Sequence, residues 1–362
     1  MTAHPTRVLL VSPLPPPAGG IARWTQLVTS RLRIRDDVRV RVLDTALRLR
    51  SPQSASRVRR MGAGSLEALW TIVRCMYMTV TGRPEVVHVN VAGQLGLLRD
   101  LLVIRWCRAI HVQVVVHVRF GRVPEIARSN SWEWRMLVRV INGSSLVIAI
   151  DGRTAEELAV RVPSSTVRLI PNCVEVSEYP TEVPARTKDV LFVGWVVPSK
   201  GVEELLEAWP SVRTDGATLR LMGAFEQQYV ADLERRGLLG PDIDLVGEAT
   251  HGQVLEAMSA CGLFVLPSHT EGFPNVVVEA MSTGAPIVAT SVGAIPDMLA
   301  EGAGVIVPPR DVAALAAGMR DVLADPDRLH MGERGRRRAV SQYSVEAVTQ
   351  QYVELWKGLA AE

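Results

Sequence analysis

Short apolar runs rich in valine and isoleucine recur along the whole chain, and helical patterns separate them. In the first half the runs are Val8–Val11, Val38–Leu43, Val86–Val91, Val112–Val118, Leu146–Ile150 and Val167–Ile170. In the second half they are Val190–Val193, Leu219–Met222, Ile243–Val246, Leu263–Leu266, Ile287–Ala289 and Val305–Val307. Strands that are apolar on both faces and alternate with helices are typical of parallel sheets covered on both sides. The pattern therefore predicts an α/β fold with two doubly wound, Rossmann-like domains.

The length of 362 residues is also typical of two domains. We predict an N-terminal domain over residues 1–177 and a C-terminal domain over 189–340. A linker at 178–188 would join them, since this segment has two prolines and no apolar periodicity. Open parallel sheets bind ligands beyond the carboxyl ends of their strands, so we expect the site in a cleft between the two domains.

Charge and cysteine usage exclude several classes of protein. The net charge of +2 gives no support for a nucleic-acid partner, and the four cysteines lie far apart without a C-x-x-C pair, which argues against a disulfide framework or a zinc site. The N-terminus has no long apolar signal region, and no apolar run reaches the roughly 18 residues that a spanning helix needs. We expect a cytoplasmic protein. The basic, Trp-containing segments 54–80 and 96–110 are either core helices with solvated faces or helices that lie on an anionic membrane surface.

The stretch Pro267–Ala289 places two carboxylates near the end of a buried strand. A polar loop with Glu271 leads into a helix that begins near Asn275 and stops at Gly284. Asn275 and Glu279 belong to a single polar stripe on that helix. Glu279 is therefore either an ordinary solvent-facing residue or, with Glu271 and the helix N-terminus, part of a binding site at the sheet edge.

Three other positions follow predicted strands and carry polar or permissive residues. Gly19 and Gly20 precede a helix and suit close approach of an anionic ligand, but their spacing is not the G-x-G-x-x-G of dinucleotide-binding dehydrogenases. Lys200 stands at the entrance of another helix, where an ammonium and free amides can hold a phosphate. His117 ends a strand, and a single histidine there is either structural or part of a site.

The spacing from Glu271 to Glu279 resembles the E-x7-E signature of the GT4-type (group 1) retaining glycosyltransferases. The residues from Gly247 to Gly304 are similar to the C-terminal half of that family at fixed spacing. The resemblance implies a GT-B fold, with a nucleotide-diphosphate sugar on the C-terminal domain and the acceptor on the N-terminal domain. It also implies that a last helix over 345–360 crosses back to the N-terminal domain.

The same resemblance implies roles for individual residues. The implied donor-binding residues are Gly20, Gly194, Trp195, Lys200, Gly272, Phe273, Pro274, Asn275 and Glu279. The implied acceptor-side residues are Gly19, Gly20, Asn90 and Arg119, and the implied catalytic residues are His117, Glu271 and Lys200. The chain departs from the family at Trp195, which stands where the family has an arginine that grips the diphosphate.

These observations favour a retaining hexosyltransferase that uses a UDP-, GDP- or other nucleotide sugar and acts in cell-surface polysaccharide or glycoconjugate synthesis. We expect no cofactor and no metal, because Asp242 and Asp244 resemble a D-x-D motif but lie before their strand. The expected partners are the nucleotide sugar, a glycan, lipid-linked or small-molecule acceptor, and an anionic membrane on its inner face. Two alternatives stay open: a nucleotide-sugar 2-epimerase of the same fold, and a catalytically silent sugar-nucleotide-binding protein.

Overall fold

The computed structural model describes residues 4–16, 19–46, 57–161, 166–176, 179 and 186–361, with the side chains of 57–65 and 166 left out. The chain divides into two units. The first comprises Met1–Cys173 together with Val345–Glu362, and the second comprises Val174–Ser344. Most of the predicted linker, at residues 178 and 180–185, lies outside the described residues, as do residues 54–56 of the first basic segment.

The first unit is built on a six-stranded parallel sheet in the order β2-β1-β3-β4-β5-β6. Its strands are β1 (Thr6–Ser12), β2 (Val38–Asp44), β3 (Val86–Val91), β4 (Gln113–Val118), β5 (Leu146–Ala149) and β6 (Thr166–Leu169). Its helices are α1 (Gly20–Leu32), α2 (Arg57–Gly82), α3 (Gly96–Ala109), α4 (Val123–Arg128), α5 (Trp132–Ile141), α6 (Gly152–Arg161) and the C-terminal α14 (Val345–Ala361).

Successive residues of each strand in this sheet point to opposite faces, and both faces are covered. Helices α2 to α6 pack on the face that carries Val87, Val89 and Val116. Helices α1 and α14 pack on the opposite face, against Val86 and Val115. The inner strands are mostly apolar because neither of their faces meets water, whereas the edge strand β2 exposes Arg39 and Arg41.

The second unit has its own parallel sheet in the order β12-β11-β10-β7-β8-β9. Its strands are β7 (Val190–Val193), β8 (Leu219–Met222), β9 (Ile243–Gly247), β10 (Leu263–Leu266), β11 (Ile287–Thr290) and β12 (Val305–Val307). Its helices are α7 (Val202–Ala208), α8 (Gln227–Arg235), α9 (His251–Ala260), α10 (Asn275–Ser282), α11 (Ile295–Met298), α12 (Val312–Ala324) and α13 (Arg328–Arg338).

The prediction of two doubly wound domains is confirmed, with six parallel strands in each sheet. The strand order of each sheet also reverses direction once along the chain. In the first unit the reversal lies between β1 and β3, and in the second between β7 and β10. Loops diverge from the sheet at such a point and leave a crevice, which is where open α/β sheets bind ligands.

Candidate functional site

The reversal point of the second unit brings Lys200 and Glu271 into contact. Lys200 lies in a short 3₁₀ turn after β7, and Glu271 lies in the loop after β10. Lys200 Nζ is 2.6 Å from Glu271 Oε1, and the Ser268 hydroxyl donates to the same oxygen at 2.7 Å. The side chain of Glu271 is 12% exposed and that of Lys200 is 30% exposed. A carboxylate and an ammonium are therefore held at the strand ends with access to solvent.

Backbone contacts hold these two loops against each other. The His269 N–H donates to the Ser199 carbonyl at 3.0 Å. Gly201 has a φ of +68°, and a Cβ there would collide with the Pro267 carbonyl oxygen. Gly293 has a φ of +54°, and a Cβ there would collide with the carbonyl of Glu271. Glycine is needed at both positions because the left-handed conformation and the close backbone approach each exclude a side chain.

Glu279 is buried, at 8% exposed, so the interpretation of it as a solvent-facing residue is wrong. It lies on α10, which begins at Asn275 after Pro274 as its N-cap. The loop before the helix is fixed by the Phe273 ring, which packs edge-on against Tyr343 at 5.8 Å. The same loop is also fixed by the Gly272 carbonyl, which accepts a hydrogen bond from the Ala294 backbone N–H at 2.8 Å. The helix therefore carries a carboxylate inward beneath the loop that contains Glu271.

Gly194 and Trp195 follow β7 directly. Gly194 has a φ of +155°, and a Cβ on Gly223 would collide with its carbonyl oxygen, so the backbones after β7 and β8 touch. The Trp195 side chain is 70% exposed. An exposed indole stands where the family resemblance implies a cation, so the position contributes apolar surface instead of charge.

The reversal point of the first unit aligns Ser12, Asn90 and His117 across neighbouring strands. The Asn90 amide donates to Ser12 Oγ at 2.8 Å, and Ser12 Oγ lies 2.6 Å from Thr25 Oγ1. The Thr25 hydroxyl donates to the Ile21 carbonyl, so the Ser12 hydroxyl is the donor to Thr25. This series of hydrogen bonds fixes the orientation of the Asn90 side-chain amide. Asn90 Oδ1 is buried and has no hydrogen-bond partner among the described residues.

His117 belongs to a line of contacting nitrogen atoms that starts at Trp356 on the C-terminal helix and ends at Arg119. Trp356 Nε1 donates to His88 Nδ1 at 3.1 Å, His88 Nε2 lies 3.2 Å from His117 Nδ1, and His117 Nε2 lies 3.2 Å from Arg119 Nη1. Burial, together with a smaller effect of the nearby Arg119, lowers the pKa of His88 to about 3. Burial and Arg119 likewise hold the pKa of His117 well below its ordinary value, so both rings are neutral at pH 7.

This line of groups contains one hydrogen-bond donor too many. A neutral imidazole donates from one nitrogen and accepts at the other. Trp356 donates at one end and Arg119 donates at the other, so two neutral rings between them cannot satisfy all three contacts. One of the three contacts therefore brings two N–H groups together without an acceptor between them.

Arg119 and the two glycines complete the predicted acceptor side. The Arg119 guanidinium lies 4.4 Å from the centroid of the Trp24 ring, and burial lowers its pKa. Gly19 is the N-cap of α1 and Gly20 is its first residue. A Cβ at either glycine would meet nothing within 4 Å, so packing does not require glycine there. These positions keep the start of α1 open.

Sequence reasoning missed His88 and Trp356. His88 precedes Asn90 by two residues on one strand, so the alternation of β3 places both on the same face, and this signal was available. Trp356 is separated from His88 by 268 residues, and only the packing of α14 on the sheet brings them together.

The two acids of the D-x-D-like motif have structural partners: Asp242 precedes β9, whereas Asp244 lies within the strand, contrary to the prediction. Asp242 accepts from Trp209 Nε1 at 2.8 Å and from Arg213 at 3.1 Å, and Asp244 pairs with Arg220 at 3.3 Å. Partial burial raises the pKa of Asp242, but these hydrogen bonds outweigh it and lower the pKa overall. In the part of the chain that the structure describes, no three His, Cys, Asp or Glu residues come together as a metal site. Nor is any helix there long and apolar enough to cross a membrane.

Comparison with known proteins gives matches in sequence and in fold. Residues 187–325 match the family described as Glycosyl transferases group 1, a region that includes Lys200, Glu271 and Glu279. A glycogen synthase of Mycobacterium tuberculosis is 34% identical over 165 residues, which cover 44% of this chain and 40% of that protein. The chain therefore matches less than half the length of this relative.

The fold resembles solved structures over nearly the whole chain. The sucrose-phosphate synthase of Thermosynechococcus elongatus has a TM-score of 0.78 at 21% identity and covers 98% of this chain and 99% of its own. The Anabaena protein HepE, in complex with UDP and glucose, has a TM-score of 0.71 at 18% identity and covers 98% of this chain and all of its own. Residues 187–325 thus resemble the group 1 glycosyltransferases, and the fold is the two-domain, Rossmann-like GT-B fold of these solved structures.

Proposed function

We propose that this protein is a retaining glycosyltransferase that moves a sugar from a nucleotide diphosphate to a glycan, lipid-linked or small-molecule acceptor. The observation that carries the proposal is the contact between Lys200 and Glu271 at the reversal point of the second sheet. It lies in the region that matches the group 1 family. A cation beside a carboxylate at this position suits a ligand that is anionic at one end and rich in hydroxyl groups at the other.

The donor would bind along the loops after β7 and β10. Lys200 and neighbouring backbone amides would hold the diphosphate, since the leaving group gains charge as its bond to the sugar breaks. The contacts of Glu271 with Lys200 and Ser268 both go to Oε1, so Oε2 is the oxygen proposed to meet a sugar hydroxyl. Glu279 would accept from the ribose hydroxyls, because an ionised carboxylate is a strong acceptor.

The residues around these three would line the donor. The backbone amides of Gly272, of Phe273 and of Asn275, which follows Pro274, would face the sugar. Gly194 would allow the donor to approach the backbone. Trp195 would offer its exposed indole in place of the arginine that the family resemblance implies. Gly20 is proposed as a further donor-binding residue.

The hydrogen-bonding groups of the first unit support a hydroxyl-bearing ligand. Among the described residues, Asn90 Oδ1 has no donor, and two N–H groups meet on the line from Trp356 to Arg119. A hydroxyl both donates and accepts, so it suits groups of both kinds. We assign Asn90 and Arg119, with Gly19 and Gly20, to the acceptor side and give His117 a catalytic role as a neutral hydrogen-bond donor at the reacting sugar.

Retention and metal independence are further parts of the proposal. A double displacement requires a carboxylate nucleophile, and neither Glu271, paired with Lys200, nor Glu279, on the proposed ribose, is assigned that role. We therefore propose same-face attack assisted by the leaving phosphate, with Lys200 instead of a metal neutralising its charge. The reaction would need no cofactor. We propose a cytoplasmic enzyme of polysaccharide or glycoconjugate synthesis that contacts the inner face of the membrane.

A thermal-shift screen of the purified protein with UDP-, GDP- and ADP-sugars tests donor binding. UDP-sugars come first because structures of Anabaena HepE contain UDP. Candidate acceptors are then added, and NMR reports the anomeric configuration of the product. A product with the donor's configuration supports the proposal, and an inverted product overturns its stereochemistry. Conversion of the donor alone into its epimer would make the protein an epimerase, and tight binding without turnover would make it a sugar-nucleotide-binding protein.

A further inference from the structure

Three neighbouring helices of the first unit carry most of the exposed large apolar side chains among the described residues. Helices α2, α3 and α5 pack on the same face of the sheet, with α3 in contact with both others. The described residues include eighteen exposed large apolar side chains, and ten of them lie on these helices or at the start of α3. The ten are Leu66, Leu69, Trp70, Val73, Tyr77, Val80, Leu95, Leu98, Leu102 and Trp132. A concentration of this kind marks an interaction site.

On α2 the exposed residues form a single stripe. They recur at spacings of three and four residues, from Leu66 through Trp70, Val73 and Tyr77 to Val80, and so share one side of the helix. Trp70 is 62% exposed and Tyr77 is 67% exposed. The buried residue Cys75 lies on the opposite side and packs toward the sheet. The helix therefore has two apolar sides: one is buried against the sheet, and the stripe is a separate side that faces solvent.

Helix α3 continues the apolar surface beside α2. Leu95, Leu98 and Leu102 share one side of α3. Trp106 Nε1 donates to Thr79 Oγ1 of α2 at 2.9 Å, which ties the two helices together. Since both helices cover the same face of the sheet, both stripes point away from it. We call the solvent side of α2, α3 and α5 the helical face.

The charge of the helical face has one sign. Its exposed charged side chains, within the described part of these helices, are all arginines: Arg74, Arg105, Arg108, Arg135 and Arg139. The acids of the same helices point inward or are partly covered. Asp100 is buried and paired with Arg99, and Glu133 is buried and paired with Arg122. Glu67 is half-buried.

We propose that the helical face binds the surface of an anionic lipid bilayer. Arginines attract acidic headgroups, while the leucines and valines enter the boundary of the acyl chains and Trp70 and Tyr77 remain at the headgroup level. A symmetric contact with a second copy of the chain would bring arginines against arginines, which disfavours that occupant. The proposal deepens the proposed function by naming its membrane contact, and it rests on that function only for the link to a lipid-linked acceptor.

Vesicle co-sedimentation of the full chain, without nucleotide, tests the proposal. We expect binding to vesicles of phosphatidylcholine with phosphatidylglycerol, little binding to phosphatidylcholine alone, and weaker binding as salt increases. Trp70→Ser should weaken binding by about tenfold or more, because it removes a large apolar side chain from the contact. Arg74→Gln and Arg105→Gln should each weaken it about fivefold.

Matched controls are available in the second unit. Leu329→Ser and Arg337→Gln change exposed residues of α13 and should leave vesicle binding unchanged. Equal binding to both vesicle types, or equal binding by Trp70→Ser and Leu329→Ser, would overturn the proposal. Concentration-dependent dimerisation that Trp70→Ser abolishes would assign the face to a second copy and overturn it as well. Thermal shift with nucleotide sugars, measured on the same variants, reports separately on the proposed donor site.

Discussion

The two sheets carry different chemistry at the points where their strand order reverses. In the second unit the loops hold an ion pair between Lys200 and Glu271, and glycines let the loops touch. In the first unit the corresponding edge holds two neutral imidazoles, His88 and His117, beneath aromatic rings. One edge carries an ion pair and is partly open, and the other is buried and, apart from the Arg119 guanidinium, uncharged.

The difference shows how one topology can serve two kinds of ligand. Both sheets are parallel and six-stranded, so their strands do not account for it. The second edge is formed by local loops such as that between β10 and α10. The first edge is covered by α1 and by α14, whose Tyr352 and Trp356 pack on the histidines. Under the proposed function, the charged edge would receive the diphosphate and the neutral edge would receive hydroxyl groups.

The strongest test of this contrast removes the cation from the charged edge. Lys200→Ala should lower turnover by about a hundredfold or more, and lower it far more than donor affinity, because charge develops on the leaving group in the transition state. Steady-state kinetics with the donor identified by the screen measures both quantities. Lys188→Ala is the matched control, since Lys188 is exposed and its ammonium contacts only the Asp215 carbonyl in the described residues. Near-normal turnover in Lys200→Ala would remove this loop from the diphosphate site.

A second test concerns the buried carboxylate of the same edge. Glu279→Gln should weaken donor binding by about 1.5–3 kcal/mol, the range for a hydrogen bond to a charged group. Isothermal titration calorimetry with the free nucleotide measures the change. Glu256→Gln on the exposed side of α9 serves as the control. If a folded Glu279→Gln protein binds the nucleotide as the wild type does, the ribose contact is wrong.

The buried His88 at the neutral edge should make the free energy of unfolding depend on pH. The folded pKa of His88 is about 3, below its ordinary value near 6.5, so the unfolded chain binds the proton more readily. The contribution of His88 to the free energy of unfolding is complete above about pH 6.5. It is lost as the pH falls toward 3, at about 1.4 kcal/mol per pH unit. We expect a loss of about 2 kcal/mol from this residue at pH 5.

Urea unfolding of the wild type and of His88→Gln at pH 7 and pH 5 isolates this contribution. The stability difference between the two proteins should shrink at the lower pH, whereas His330→Gln, at an exposed histidine, should show no such change. If His88→Gln does not fold, NMR titration of the wild-type ring replaces the comparison. Protonation of His88 near pH 6.5 would contradict the prediction.

The smallest expected effect is that of a chelator. If Lys200 supplies the positive charge at the second edge, activity should survive excess EDTA. The acids that resemble a metal motif, Asp242 and Asp244, already pair with arginines. An activity lost with EDTA and restored by manganese or magnesium would show that the charged edge needs a metal.

The sequence determined the architecture because burial leaves a direct record in residue order. Strands covered on both faces are largely apolar, so twelve apolar runs predicted the twelve strands found among the described residues. It also predicted which residues follow β7 and β10, since a short loop keeps Lys200 and Glu271 near their strand ends. The roles of these residues stay predictions, including the substitution of Trp195 for an arginine.

Only the tertiary structure decided what covers each edge and each helix. Periodicity showed that Glu279 belongs to a polar stripe and that α2 is basic and apolar, but it could not show which sides meet a neighbour. Packing buries Glu279, exposes Trp70, and brings Trp356 to His88 across most of the chain. A sequence pattern records the repeat of a helix or strand, whereas contacts between distant segments depend on how the whole chain closes, and no local pattern encodes them.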